Sequence, residues 1–197
     1  MAFFDKSFST AIAPKEATGG FINPSKIEDG GSLRIAILSD EPITGQEIWF
    51  EKDGGGFAVR RTASLPTPAL ISELEADVEG KVSVRDGKPA INTFCAFFAW
   101  DFESESVKIF SATQKSILRE LDRLTSDEDY SSLEEWDLQI GRTGKGVDTR
   151  YTVDFKPTKR KGSIAARVAA AWEEAQANRA DLGALFTGGN PFGGTDA

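Results

Sequence analysis

Residues 91–113 read INTFCAFFAWDFESESVKIFSAT, and residues 91–102 decide what this chain can fold into. Phe94, Phe98, Trp100 and Phe102 share one parity, while Phe97 takes the other. The run is short and aromatic, which suits a long buried strand better than a helix. Successive side chains of a strand go to opposite faces, so at least one aromatic set must be core. The sequence alone leaves open which. The polar tetrapeptide Glu103-Ser104-Glu105-Ser106 is a turn, and SVKIFSAT (106–113) is the returning strand. Thr113 is placed to cap a following helix, in which Ile117, Leu121 and Leu124 recur at helical spacing.

Working outward toward the N-terminus, residues 31–40 alternate Leu33, Ile35 and Ile37 against Arg34 and Ala36, a strand pattern. Residues 45–62 read as two short strands around Asp53-Gly54-Gly55-Gly56, which supply the backbone freedom of a hairpin loop. A proline-punctuated crossover over 65–80 holds a short helix at 69–78. Residues 1–27 show no sustained period and read as a loosely ordered arm, docked through Phe3, Phe4 or Phe21.

Toward the C-terminus, WDLQIGR (136–142) and TRYTVDFK (149–156) are strands joined by the glycine-rich loop 143–148. Residues 162–186 read as an alanine-rich helix with Ile164, Val168 and Trp172 on one stripe. Such a helix is marginal alone in water, so the stripe needs an apolar surface on the domain or on a second protomer of a homo-oligomer. Residues 187–197 read as a flexible tail. The expected fold is mainly β: an OB-type Greek-key barrel over 28–161 with one internal helix, plus the C-terminal helix.

The 197-residue chain carries a net charge of −8, with no His and a single Cys. That composition excludes His general bases, Cys/His zinc sites and an internal disulfide. Cys95 sits in the apolar run and reads as an inert thiol. No apolar run approaches the roughly 20 residues of a membrane-spanning helix. The start MAFFDKSFST has an acid at its fifth position and no long apolar stretch, unlike a secretory signal, so a cytoplasmic location is expected.

Charge is unevenly spread. Residues 136–161 hold seven basic and three acidic residues, a local +4, whereas residues 1–135 carry −10. The glycine-rich loop is not a phosphate-binding P-loop: Gln139 stands at the first glycine position, Gly146 follows Gly144-Lys145, and no helix follows. Single-stranded nucleic acid needs cations for phosphates and flat rings for bases in one groove. The candidate cations are Arg142, Lys145, Arg150, Lys156, Lys159, Arg160 and Lys161, with Arg60 and Arg61 of WFEKDGGGFAVRR (49–61) on an opposite rim. The candidate rings are Trp49, Trp100, Trp136 and Tyr151, core packing being the alternative for each. Asp127, Glu128, Asp129, Glu134 and Glu135 are either a solvated connector or, for a nuclease, a Mg²⁺ site; no motif announces the latter. No catalytic residue, metal or cofactor is expected.

FFAWDFESESVKIFSATQKSILREL (97–121) followed by WDLQIGRTGKGVDTRYTV (136–153) resembles the OB-fold single-stranded DNA-binding proteins of tailed bacteriophages. The resemblance spans residues 31–157. It is best in the strand–turn–strand leading to Gln114-Lys115-Ser116-Ile117 and in the hairpin with Gly144, Gly146, Asp148, Thr149 and Tyr151. It implies non-enzymatic, sequence-independent single-stranded DNA binding and protection in phage replication, recombination or repair, in the host cell cytoplasm. The implied partners are single-stranded DNA and replication or recombination proteins. The rival reading is a phage structural or protein-interaction domain whose basic stripe meets an acidic protein partner. The chain departs from the family where such proteins often end in a strongly acidic tail: the last eleven residues hold one acid, Asp196. Asn190-Pro191-Phe192 is either a docking motif or filler.

Overall fold

The computed structural model describes residues 20–130 and 135–193. The expectations on Phe3, Phe4, Glu134 and Asp196 lie outside them. Strands follow in the order β1 (Phe21–Ile22), β2 (Ser32–Ile37), β3 (Ile43–Lys52), β4 (Phe57–Thr62), β5 (Gly80–Val82), β6 (Val84–Arg85), β7 (Lys88–Pro89), β8 (Ile91–Asp101), β9 (Ser106–Ala112), β10 (Trp136–Thr143) and β11 (Arg150–Pro157). The helices are α1 (Pro68–Val78), α2 (Lys115–Thr125), α3 (Ser163–Ala177) and α4 (Ala184–Thr187). The fold is mainly β, as expected.

The main sheet runs β1-β9-β8-β2-β10-β11. The aromatic strand β8 is its axis. One edge pairs with β9 from Cys95 to Asp101. The other edge is shared: Ile91 to Ala96 pair with β3, and Ala99 to Asp101 pair with β2. In turn β3 carries β4 and β5. Beside this sheet, β6 and β7 form a small hairpin turned by Asp86 and Gly87, both at positive φ, the pairing that Asp-Gly favours.

Both parities of β8 are core. Phe97 and Ala99 join Ile35, Phe110, Leu138, Ile140, Val153 and Phe155, and α2 covers them with Ile117, Leu121 and Leu124. The rings of Phe97 and Phe110 stack at 4.8 Å. On the opposite face Phe94, Phe98 and Trp100 lie with Val107 and Ile109 under the C-terminal segment, which contributes Val168, Leu182 and Leu185. Trp172 meets Phe98 at 5.3 Å and Phe186 meets Phe94 at 6.0 Å. A smaller cluster packs Ile48 and Phe50 against Val78 of α1. The Asp101 carboxylate closes the β8–β9 turn, accepting from Glu103 N–H, Ser104 Oγ and Lys108 Nζ. Burial raises its pKa, but those three donors more than offset burial and hold it below the ordinary range. Cys95 packs beside the first cluster, and burial pushes its thiol up to about 11, consistent with an unreactive thiol.

Four sequence expectations need correction. Thr113 does not cap α2; Gln114 holds the cap position and makes no side-chain cap bond. The C-terminal helix does not run from 162 to 186. It stops after Ala177, Arg179 turns at φ 62°, and α4 follows, which lets Leu182 and Leu185 reach the sheet. Residues 20–27 are not a loose arm, because β1 pairs in parallel with β9, and Asn23 caps the turn Pro24–Lys26 over buried Ile22 and Pro24. Residues 187–193 are not a free tail. Pro191 is buried, its carbonyl accepts from Asp181 N–H at 2.8 Å, and Phe192 meets Phe98 at 5.5 Å.

Phe192→Ala should therefore destabilise the protein by about 1–2 kcal/mol, less than the roughly 3–5 kcal/mol of a fully buried Phe because the ring is half-exposed. Chemical denaturation measures it. An unshifted midpoint would return residues 187–193 to the status of a tail.

Candidate nucleic-acid interface

On the sheet face that carries Phe94, the uncovered part near β3 and β4 forms a groove of about 680 Å³. Alternation puts Glu47 and Trp49 of β3 on this face, opposite Arg61 and Val59 of β4 in the antiparallel register. Asn92 of β8 and Ser111 of β9 continue the floor, and the segment from Phe21 to Lys26 forms the wall. Arg85, on the β6–β7 hairpin, completes the rim.

The groove combines exposed rings with cations. Phe21 is 52% exposed and Trp49 37%. Beside Trp49, the ring of Phe57 stands 66% exposed, edge-on at 6.3 Å. Trp49 Nε1 donates to Glu47 Oε1 at 3.0 Å, and Arg61 Nη2 donates to Glu47 Oε2 at 2.7 Å. The Arg61 guanidinium lies 5.7 Å from the Phe21 ring centre and 5.2 Å from that of Phe94. Buried Glu47 thus fixes both the indole and the guanidinium, so neither must be ordered when a ligand arrives. With Lys26, Arg61 and Arg85 against Glu47, the lining is net positive.

Of the thirteen candidates from the sequence, Trp49 and Arg61 meet in this groove. Arg60 has the opposite parity and pairs with Asp77 of α1 at 2.8 Å. Trp100 is 3% exposed in the core, so it offers no ring face to a base. Trp136 and Tyr151 are half-buried against the first core cluster, and Trp136 meets Tyr130 edge-on at 5.0 Å.

The basic stretch divides by chemistry. Arg142 Nη1 donates to the carbonyls of Ser25 and Ile27, both at 2.7 Å. It ties the groove wall to β10 rather than reaching solvent. Arg160 is only 12% exposed; it bonds Thr158 Oγ1 and the Trp136 carbonyl and lies 3.9 Å from Asp137. Asp137 is fully buried and accepts from Arg34 Nε, Thr158 Oγ1 and the Lys159 N–H at 2.8–3.0 Å, pinning the turn after β11. That leaves Lys145, Arg150, Lys159 and Lys161 exposed, with half-buried Lys156 3.7 Å from Asp154.

The hairpin tip itself is built, not loose. The turn Gly146–Asp148 is closed by Asp148 N–H to the Lys145 carbonyl, and Arg150 Nη1 bonds the carbonyls of Val147 and Thr149. Gly144 sits at φ 79°, where a Cβ would run into the Asp148 carbonyl, and its N–H donates to Asp29 at 2.8 Å. The hairpin and the groove wall are therefore joined twice, through Arg142 and through Asp29.

Phe21, Lys26 and Arg85 were missed as site residues. Asn23-Pro24-Ser25, an Asx-type turn signal, marks the order of the wall, and Asp86-Gly87 marks the hairpin that presents Arg85. Among the described residues no group of three or more His, Cys, Asp or Glu could hold a metal, and no helix is long and apolar enough to cross a membrane. The chain matches no family model, no curated protein and no solved structure.

Asp137→Ala should destabilise by about 3–5 kcal/mol, because it strands Arg34 and Arg160 in partly buried positions without their carboxylate. Urea denaturation measures this. A loss under about 1 kcal/mol, the scale of a surface pair, would contradict the role given to Asp137.

Proposed function

We propose that this protein binds single-stranded DNA without catalysing a reaction on it, serving DNA replication, recombination or repair. The carrying observation is the groove in which exposed Phe21 and Trp49 stand with Lys26, Arg61 and Arg85. Rings stack on bases, and cations neutralise phosphates; single strands offer both together, whereas duplex bases are hidden from protein rings. Exposed Lys145 and Arg150, on the hairpin that Arg142 and Asp29 tie to the groove wall, add positive charge near it in a protein that is acidic elsewhere. The acidic remainder limits indiscriminate contacts, while the local field steers a polyanion to one side.

The sheet is compatible with an OB-type barrel of the partly open kind. In that reading, residues 20–31 act as a strap from β9 to β10, where Gly30 N–H meets the Arg142 carbonyl, and α2 closes the interior. The resemblance of residues 31–157 to phage single-stranded DNA-binding proteins agrees with this reading. Recruitment of replication proteins belongs to the same proposal; Asn190-Pro191-Phe192 is a poor candidate for it, since Phe192 is used against Phe98.

Oligo-dT a few tens of nucleotides long should bind far more tightly than a duplex of equal length. Affinity should fall with salt at a log–log slope of about −0.7 per phosphate neutralised. Replacing Lys145 and Arg150 together by Ala should flatten that slope, while Phe21→Ala or Trp49→Ala should cost about 1–3 kcal/mol of binding. Titrations by fluorescence anisotropy measure all three. Equal affinity for duplex would leave a sequence-blind basic patch and favour an acidic protein partner instead.

A further inference from the structure

The floor of the groove has a chemistry that phosphate neutralisation does not require. Asn92, Ser111 and Thr113 line it from β8, β9 and the residue after β9, and their side chains make no hydrogen bond among the described residues. Gln114 lines it too, with Oε1 taken by the Thr113 N–H at 3.2 Å and Nε2 left over. These are neutral donors and acceptors gathered from adjoining strands between Phe21 and Trp49. The cations stand elsewhere: Lys26 in the wall, Arg85 at the rim, and Arg61 already engaged by Glu47.

A groove that only tracked the backbone would need cations and rings, and would be indifferent to bases. Unspent amides and hydroxyls beside the rings match a different object, the hydrogen-bonding edge of an unstacked base. Side-chain amides and hydroxyls bond such edges, while aromatic rings hold the flat face. The substrate would then lie with a base in the groove and its phosphates toward Lys26 and Arg85.

We propose that this groove is a nucleobase slot that reads the hydrogen-bonding edge of the base, so that binding of single strands is base-dependent rather than base-blind. The inference rests on the single-strand reading above. Asn92 and Ser111 touch the base edge directly; Phe21 and Trp49 hold its face.

The test uses the full-length protein and two fluorescently labelled oligonucleotides. One is oligo-dT. The other carries difluorotoluene in place of its central thymines, a ring of the same shape that stacks but lacks thymine's hydrogen bonds. The wild type should bind the analogue tenfold or more weakly, a loss of the order of one good base-edge contact. The double variant Asn92→Ala, Ser111→Ala should bind both strands alike, at the weaker level. Asn92 is exposed and neither side chain bonds the fold, so this variant should keep the wild-type denaturation midpoint. Equal wild-type affinity for the two oligonucleotides would overturn the slot and leave single-strand binding standing. No binding of either would overturn both.

Discussion

Everything in this molecule depends on β8 being buried on both faces. A strand with large rings on one parity alone would need one covering layer and could leave its other face to solvent. Here Phe97 on one side and Phe94, Phe98 and Trp100 on the other each need cover. Burying a Phe side chain is worth about 1.5–3 kcal/mol, so neither face can be left wet at little cost. Hence the architecture: α2 is laid over one face, and α3, α4 and the stretch to Phe192 over the other. The groove exists because that second cover ends at α4, whose Phe186 reaches Gly45 of β3 but leaves Glu47 and Trp49 further along the strand uncovered. Where it stops, the residues of the same face change from Phe and Val to Asn92, Ser111, Trp49 and Arg61.

The basic stretch that stands out in the sequence serves two purposes, and side-chain type separates them. Arg34, Arg61, Arg142 and Arg160 act as internal ties, reaching buried carboxylates or backbone carbonyls. A planar guanidinium with five donors can satisfy several acceptors at once, which suits it to such positions. Lys145, Lys159 and Lys161 remain exposed, as hydrated point charges do. Arg150 is intermediate, exposed yet donating to its own turn. Arg142 has a double role, since the segment it holds is the wall of the groove.

How much of this was legible in the sequence follows from range. Local signals were sound: the alternation in β2, the Asp53–Gly56 loop, the aromatic run of β8, the helical stripe of α2 and the hairpin around Gly144 all stand where their patterns put them. What the sequence withheld was long-range. The parity of Phe98 and Trp100 could not reveal that Trp172 and Phe192, far along the chain, cover them. Burial made Trp100 a core residue and Asp137 a hub, and neither is encoded by near neighbours. The break after Ala177 was hidden because alanine-rich sequence supports helix regardless, whereas the apolar surface to be filled decides where it ends. Within the groove, Trp49 and Arg61 were visible from their hairpin. Phe21 and Asn92 were not, because their relevance arises only when β1, β3, β8 and β9 lie side by side.

The central claim is that the groove beside Trp49 holds single-stranded DNA. Photocrosslinking from oligo-dT carrying 5-iodouracil, with the attached peptides located by mass spectrometry, tests it most directly. The account predicts attachment at Phe21, Trp49 or Phe57, suppressed by excess unlabelled oligo-dT. Competable attachment confined to α1 or α3, with none in the groove, would contradict it.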